Sequence, residues 1–377
     1  MELETQRLEE SRDLLEDGPK PAPTLASCQK VKKWTLGIVI GAAFLVMCRY
    51  AGSLNLFSTS SAASVAMLSE ENEEIVGKCA GSIPVEGTAA NIQVVSAVWN
   101  VPGDEAAPVR ALGSAISVPL TSRAYFGTSC STAEYNPKEY FAQNLLGKQL
   151  MFTIDLSSAG CGCNAAFYLT SMAYVEKETD CKDYYCDAMS VCGVRCPEID
   201  IMEANKHAFR STLHDGISNQ ELPTGGFGGG GKGWVGPRDW SSEQYGPGAR
   251  CIDTNNPFQV AARFPVDMYG KLAGMEVVLL QLSAQRNCEL LVDISEYKDP
   301  ETGDDMLHLL GKTLEAGMTP IVSYWKSRTM TWLDGHGPDE VDSGLCEKSE
   351  DEEPQCSDIL GRQEVEFSFF SITDLVA

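Results

Sequence analysis

Apolar positions along this chain come in short runs, each ended by glycine, proline or polar turn residues, and not at helical spacing. ANIQVVSAVW (90–99), QLMFTIDL (149–156), AAFYLTSMAYV (165–175), FQVAARFPV (258–266), MEVVLLQL (275–282), MTPIVSYW (318–325) and VEFSFFSI (365–372) carry the β-branched and aromatic residues of strands. From Cys79 onward no tandem repeat, heptad or long helical period interrupts them. Thirty-four glycines and eighteen prolines punctuate the series. Many strands with turn signals between them predict an all-β fold, an antiparallel sandwich or jelly roll with long loops, and not a parallel α/β sheet.

One run breaks the pattern. CPEIDIMEANKHAFRSTLHD (196–215) reads as a buried strand, yet places Glu198, Asp200 and Glu203 among Ile199, Ile201 and Met202. Burying an uncompensated carboxylate costs several kcal/mol or forces its pKa upward, so three in one strand need a reason. In an extended strand Glu198 and Asp200 share a face, whereas Glu203, five residues on, points the other way unless one residue is inserted. A β-bulge near Ile201 and Met202 inserts it and lets all three line one groove. Two carboxylates about 5 to 5.5 Å apart then suit retaining glycoside hydrolysis, with one as nucleophile and one as acid/base. On that scheme one carboxylate stays ionised, another carries the raised pKa, and the third hydrogen-bonds the nucleophile and keeps the two apart. A solvated strand edge or a calcium loop are the structural alternatives. An edge leaves the flanking isoleucines unexplained, and calcium loops need glycine and closer-spaced oxygens. Spacing alone leaves catalysis and a solvated edge open.

Charge and cysteines narrow the setting. Residues 1–49 hold seven basic and seven acidic side chains, so the formal charge of −24 belongs entirely to residues 50–377. Such a field repels phosphate backbones, which argues against a nucleic-acid partner and is compatible with a neutral substrate. Residues 1–33 read as a cytoplasmic tail and 34–48, WTLGIVIGAAFLVMC, as a signal anchor or signal h-region. Lys30, Lys32 and Lys33 before it and Arg49 after it predict that the rest is translocated, as a single-pass type II membrane protein or a secreted one. Residues 49–78, rich in serine and alanine, read as a stem, and 79–377 as one domain, expected to be monomeric. Twelve cysteines lie beyond Cys28 and Cys48, enough for six disulfides in an oxidising compartment. Cys181, Cys186, Cys192 and Cys196 are the tempting zinc cluster, but lack paired CxxC knuckles. TGGFGGGGKGWVG (224–236) lacks the Ser or Thr of a phosphate loop and reads as a flexible loop beside a binding face. There is no GxSxG elbow, and His207, His214, His308 and His336 show no metal spacing. No metal, cofactor or N-glycosylation is expected.

EIDIMEAN resembles the ExDxWEAN signature of glycoside hydrolase family 7, cellobiohydrolases and endoglucanases that cleave β-1,4-glucan on a curved β-sandwich of the concanavalin-like jelly-roll kind. LLGKQLMFTIDLSSAGCGCNAAFYLTSM (145–172), YYCDA (184–188), DW with YGPG (239–248), and GMTPIVSYW with TWLD (317–334) resemble further family motifs in the same order, over about 240 residues from 138 to the end. The resemblance implies Glu198 as nucleophile, Asp200 as its supporting acid and Glu203 as acid/base. It places His214, Asn164, Tyr168, Tyr185 and Asp187 on the substrate groove, with Trp325 and Trp332 as sugar platforms. Met202 stands for the signature Trp, Ala173 for an Asp, and the segment from Asp187 to Glu198 is much shortened. The Trp325–Trp332 interval is two residues short, and DSGLC (342–346) lacks an expected Arg. Lost covering loops imply an open cleft, and so an endo-acting β-glucan hydrolase. A transglycosylase of the same chemistry and a catalytically silent glucan-binding or wall-structural protein are the alternatives.

Overall fold

The structure, a computed structural model, describes residues 78–132, 134–216, 221–223, 240–282, 287–299, 302–334, 346 and 353–375. The N-terminal tail, the apolar segment, the stem up to Gly77, the glycine-rich loop at 224–236 and His336 lie outside these residues. All described residues belong to the unit Ser69–Ala377. Among them no helix is long and apolar enough to cross a membrane.

Two eight-stranded sheets form the fold. The first runs Cys79–Ile83, Ile92–Ser96, Ser122–Gly127, Thr319–Lys326, Cys163–Thr170, Glu198–Ala204, Phe209–His214 and Glu221–Pro223, every neighbour antiparallel. The second runs Asn287–Ile294, Met275–Leu282, Phe258–Arg263, Lys148–Asp155, Glu364–Asp374, Ala115–Pro119 and Arg110–Leu112, with Val85–Glu86 added in parallel to Glu364–Asp374. The expected antiparallel β-sandwich is what the chain adopts.

Between the sheets lies an aromatic core. Phe126 and Phe167 come from the first sheet and Phe152, Phe367 and Phe370 from the second. Phe152 stacks on Phe167 at 4.3 Å, and Phe126 meets Phe370 edge-on at 5.3 Å. Offset and edge-to-face pairs of this kind add about 0.5–1.5 kcal/mol beyond their buried area.

The two sheets treat their outer faces differently. Lys148–Asp155 alternates, with Leu150, Phe152 and Ile154 buried and the residues between them half-exposed, so its second face meets water. Cys163–Thr170 and Phe209–His214 are buried at every position. Something covers the first sheet from outside. Over Ala166 and Tyr168 that cover is the segment after Met172, held by the Cys181–Cys192 and Cys186–Cys196 bridges. The four candidate zinc ligands are thus disulfide partners, and all twelve cysteines pair: Cys79–Cys130, Cys161–Cys346, Cys163–Cys356 and Cys251–Cys288 complete the set.

One helix, Met306–Ala316, escaped the strand reading. Met306, Leu307, Leu310 and Leu314 form its buried stripe, Asp305 caps it by accepting from His308 N, and Gly317 ends it at φ 111°. Eleven residues with this spacing look like a short apolar run when no longer helical period surrounds them.

Candidate active site

Glu198–Ala204 pairs with Cys163–Thr170 on one side and Phe209–His214 on the other. Its register slips once. Asp200 opposes Tyr168 and Met202 opposes Phe167, so one strand residue, Ile201, is surplus; on the other side Asp200 opposes Thr212 and Glu203 opposes Arg210. This is the bulge that the spacing of the acids requires. Ile199, Ile201, Met202 and Ala204 all enter the core between the sheets. Glu198, Asp200 and Glu203 oppose Thr170, Tyr168 and Ala166, whose strand turns Phe167 and Leu169 to the core and Tyr168 and Ala166 to the outer cluster. The three carboxylates therefore share the outer face.

Each acid has a distinct setting. Glu198 is 7% exposed and its Oε2 accepts from Ala188 N at 2.9 Å. Asp200 is buried, with His214 Nε2 3.0 Å from its Oδ2. One atom from each of Glu198, Asp200 and His214 lies within 4.8 Å of the others. Glu203 is half-buried and accepts from Asn164 Nδ2 at 3.0 Å, while Asn164 Oδ1 accepts from Ala204 N at 3.1 Å. That pair of bonds fixes the Asn164 amide and aims Glu203 along the groove.

Burial pushes the Glu198 carboxyl well above the usual range, and the negative charges of Asp200 and Asp187 add to the rise; His214 and the Ala188 N–H act against it. Burial also raises Asp187, against the N–H of Val191 that holds its carboxylate. This setting works against the ionised form that the nucleophile's role requires of Glu198. Its depth and two acidic neighbours outweigh the hydrogen bond it receives.

Tyr168 and Tyr185 meet through their hydroxyls at 3.1 Å and are 5% and 3% exposed. Arg123 lies with its guanidinium 3.6 Å over the Tyr185 ring and donates from Nε to Tyr125 Oη at 2.9 Å. Tyr125 donates in turn to Asp183 Oδ2, and Tyr140 to the Asp183 carbonyl. This buried network pins the disulfide-stapled segment onto the sheet beside Glu198. Sequence reading missed Arg123, Tyr125 and Asp183. Their signal was an arginine inside SRAYFG, an otherwise apolar strand.

The other side of the acids is more open. Trp325, whose register partner is Asn164, and Trp332 are both half-buried. Their rings stack on each other at 6.2 Å and 26°, so each covers part of the other and they form one double platform, not two spaced ones. Arg210, fully buried opposite Glu203, donates from Nη1 to the Trp332 carbonyl at 3.3 Å and sits 5.9 Å from its ring.

No protein-family model matches the chain. Endoglucanase EG-1 of Hypocrea jecorina is 28% identical over 246 residues, 56% of this chain and 49% of that protein. Endoglucanase EG-1 of Trichoderma longibrachiatum is 29% identical over 268 residues, 61% and 55% of the two chains. The chain spans about half the length of these curated relatives. Among solved structures, a Humicola insolens endocellulase EGI double mutant superposes with a TM-score of 0.52 at 15% identity, covering 79% of this chain and 96% of that one. A family 7 cellobiohydrolase from Daphnia pulex gives 0.51 at 15%, covering 79% and 98%. The structural likeness shows the fold.

Proposed function

We propose that this chain, a divergent relative of glycoside hydrolase family 7, is a retaining β-glucan hydrolase acting on β-1,4-linked glucose chains. The observation that carries the reading is the bulge at Ile201, which gathers Glu198, Asp200 and Glu203 on the outer face of an otherwise apolar strand. Glu198 attacks the anomeric carbon while Glu203 protonates the departing oxygen; Glu203 then takes a proton from the water that releases the sugar. Asp200, tied to His214, shares the charge of the nucleophile's surroundings. The attack requires ionised Glu198. Because burial and Asp200 raise its pKa, the acid limb of the rate profile lies above the ordinary carboxylate range.

The Tyr125–Asp183–Arg123 network fills the groove beside Glu198, and the half-exposed tryptophans lie beside Glu203. We assign the main polymer contacts to the Glu203 side of the scissile bond. Endo-action in a cleft open on that side is consistent with this layout, and the same residues serve a transglycosylase if a sugar hydroxyl replaces water. The domain acts on the extracytoplasmic side, anchored or secreted, in keeping with its six disulfides.

A glucan-binding protein without catalysis is the second reading. It is favoured by the near-complete burial of Tyr168, Tyr185 and Asp187, which the resemblance assigns to substrate. An activity panel on β-1,4, mixed-linkage and β-1,3 glucans separates the two. The enzyme reading expects cleavage of at least the β-1,4 polymer with retained anomeric configuration, lost in Glu198→Gln. Binding without cleavage in the parent chain assigns the protein to the second reading.

A further inference from the structure

The strand Glu364–Asp374 carries a bulge of its own, between Ser368 and Ser371 where it pairs with Lys148–Asp155. Phe370 turns inward to the aromatic core. Phe369 turns outward, adopts φ 54° and keeps 66% of its surface exposed. Left-handed backbone costs an L residue with a side chain roughly 1–2 kcal/mol, and a bulge of this hand ordinarily uses glycine. A phenyl ring held in water also forgoes its burial energy. Strain and exposure at one residue point from structure to function.

Beside the ring opens a cavity of about 430 Å³, walled by Glu86, Thr88, Asn91, Ser114 and the two phenylalanines. It falls within the ~300–1,000 Å³ common for small-ligand sites. Its wall is held in place. Val85 and Glu86 pair in parallel with Phe370 and Ser371, and the Thr88 hydroxyl lies 2.8 Å from Val85 O and 2.9 Å from Ala90 O. A Cβ on Gly87, at φ 88°, would lie 1.8 Å from Ile372 O, so only glycine lets the loop press this close to the strand. Phe369 N donates to Ser114 O at 3.2 Å. The backbone that carries the ring and the polar wall is thus held in place.

We infer that this cavity is a second glucan-binding site, with Phe369 as the platform for a sugar ring and Asn91 and Glu86 as partners for its hydroxyls. A glucosyl ring offers a CH-rich face to an aromatic and hydroxyls at its rim, the complement of what the cavity presents. Glu86 and the net charge of −24 disfavour an anionic ligand. Phe370 reaches the core while Phe369 points away from it, so the site lies on the outer face of the second sheet and the carboxylates on the outer face of the first. A polymer held here tethers the protein without being the segment cleaved. The ligand class rests on the glucan reading above.

The test uses the full chain carrying Glu198→Gln, with isotherms on amorphous β-1,4-glucan and cellohexaose as soluble probe. Two classes of binding site are expected. Adding Phe369→Ala should remove one class and weaken retention on the polymer about tenfold, whereas Phe369→Tyr should retain it. Phe369→Gly should lose the same class while unfolding at a higher temperature, which separates lost binding from lost folding. If Phe369→Ala leaves both classes intact, or if the parent shows a single class unaffected by it, the second site is refuted and the groove reading stands. If cellohexaose and polymer bind nowhere, both fall together.

Discussion

Two of the bulged strands of this sandwich place their surplus residue to opposite effect. In Glu198–Ala204 the extra residue is Ile201, and both it and Met202 pack into the core; neither has positive φ. In Glu364–Asp374 the bulge splits a phenylalanine pair, burying Phe370 and leaving Phe369 exposed at φ 54°. The first bulge resolves a conflict, since it lets apolar and acidic residues of one strand each reach the face that suits them. The second creates one, since nothing in folding gains from the Phe369 ring. A register slip that satisfies every neighbour serves the fold and the acids together; a slip that strains an exposed residue is the place to look for a role outside the fold.

Removing the first bulge should undo this contrast most completely. Deleting Met202 removes the surplus residue, so that Glu203 stands four positions after Glu198 and a regular strand keeps the three acids on one face, but without the Met202 side chain in the core. Turnover should fall sharply as the carboxylate spacing set by the bulge changes, and stability should fall by about 2–5 kcal/mol, the cost of losing a buried methionine side chain; kinetics and chemical denaturation measure both. A folded, active deletion variant would show that the bulge is dispensable.

Glu198→Gln probes the same strand without moving its backbone. Turnover should fall by at least about 10⁴-fold, the scale expected on losing a nucleophile. Because the folded-state pKa of Glu198 is raised, the native chain holds that proton more tightly than the unfolded one, and ionised Glu198 destabilises the fold as pH rises through and above the ordinary carboxylate range. The variant should therefore melt above the parent at pH 7, with the difference vanishing below about pH 4. Equal melting temperatures at all pH values would mean that Glu198 ionises freely.

Replacing Cys186 and Cys196 with serine opens a bridge between residues 10 apart in sequence, whose loop carries Asp187 and the Ala188 N–H to Glu198. A loss of about 2–3 kcal/mol is expected, with a fall in turnover larger than that caused by opening Cys79–Cys130, which joins a different part of the sheet. The smallest effect belongs to the second bulge. Phe369→Gly should stabilise the chain by about 1 kcal/mol and leave cleavage of short soluble substrates unchanged.

Much of this was legible in sequence because strands announce themselves through local composition. The runs at 149–156, 275–282 and 318–325 fall within a residue of Lys148–Asp155, Met275–Leu282 and Thr319–Lys326. The first bulge was legible too, since Glu198, Asp200 and Glu203 cannot share a face without it. The ionisation of Glu198 was not, because it depends first on burial and then on Asp200 and on Asp187, the last in a segment stapled by two disulfides. The stack of Trp325 on Trp332 was not legible either. Phe369 was unreadable: in VEFSFFSI either phenylalanine of the pair satisfies the strand pattern, and only pairing across the sheet decides which is expelled.

Whether the bulged strand holds a working nucleophile is decided by incubating the full chain with an activated 2-deoxy-2-fluoro-β-cellobioside and locating the label by mass spectrometry of its peptides. One covalent glycosyl group is expected, on Glu198, absent from Glu198→Gln and released on adding an acceptor sugar. A label on any other residue, or hydrolysis of natural glucan with inverted configuration and no trapped intermediate, would rule out Glu198 as the nucleophile.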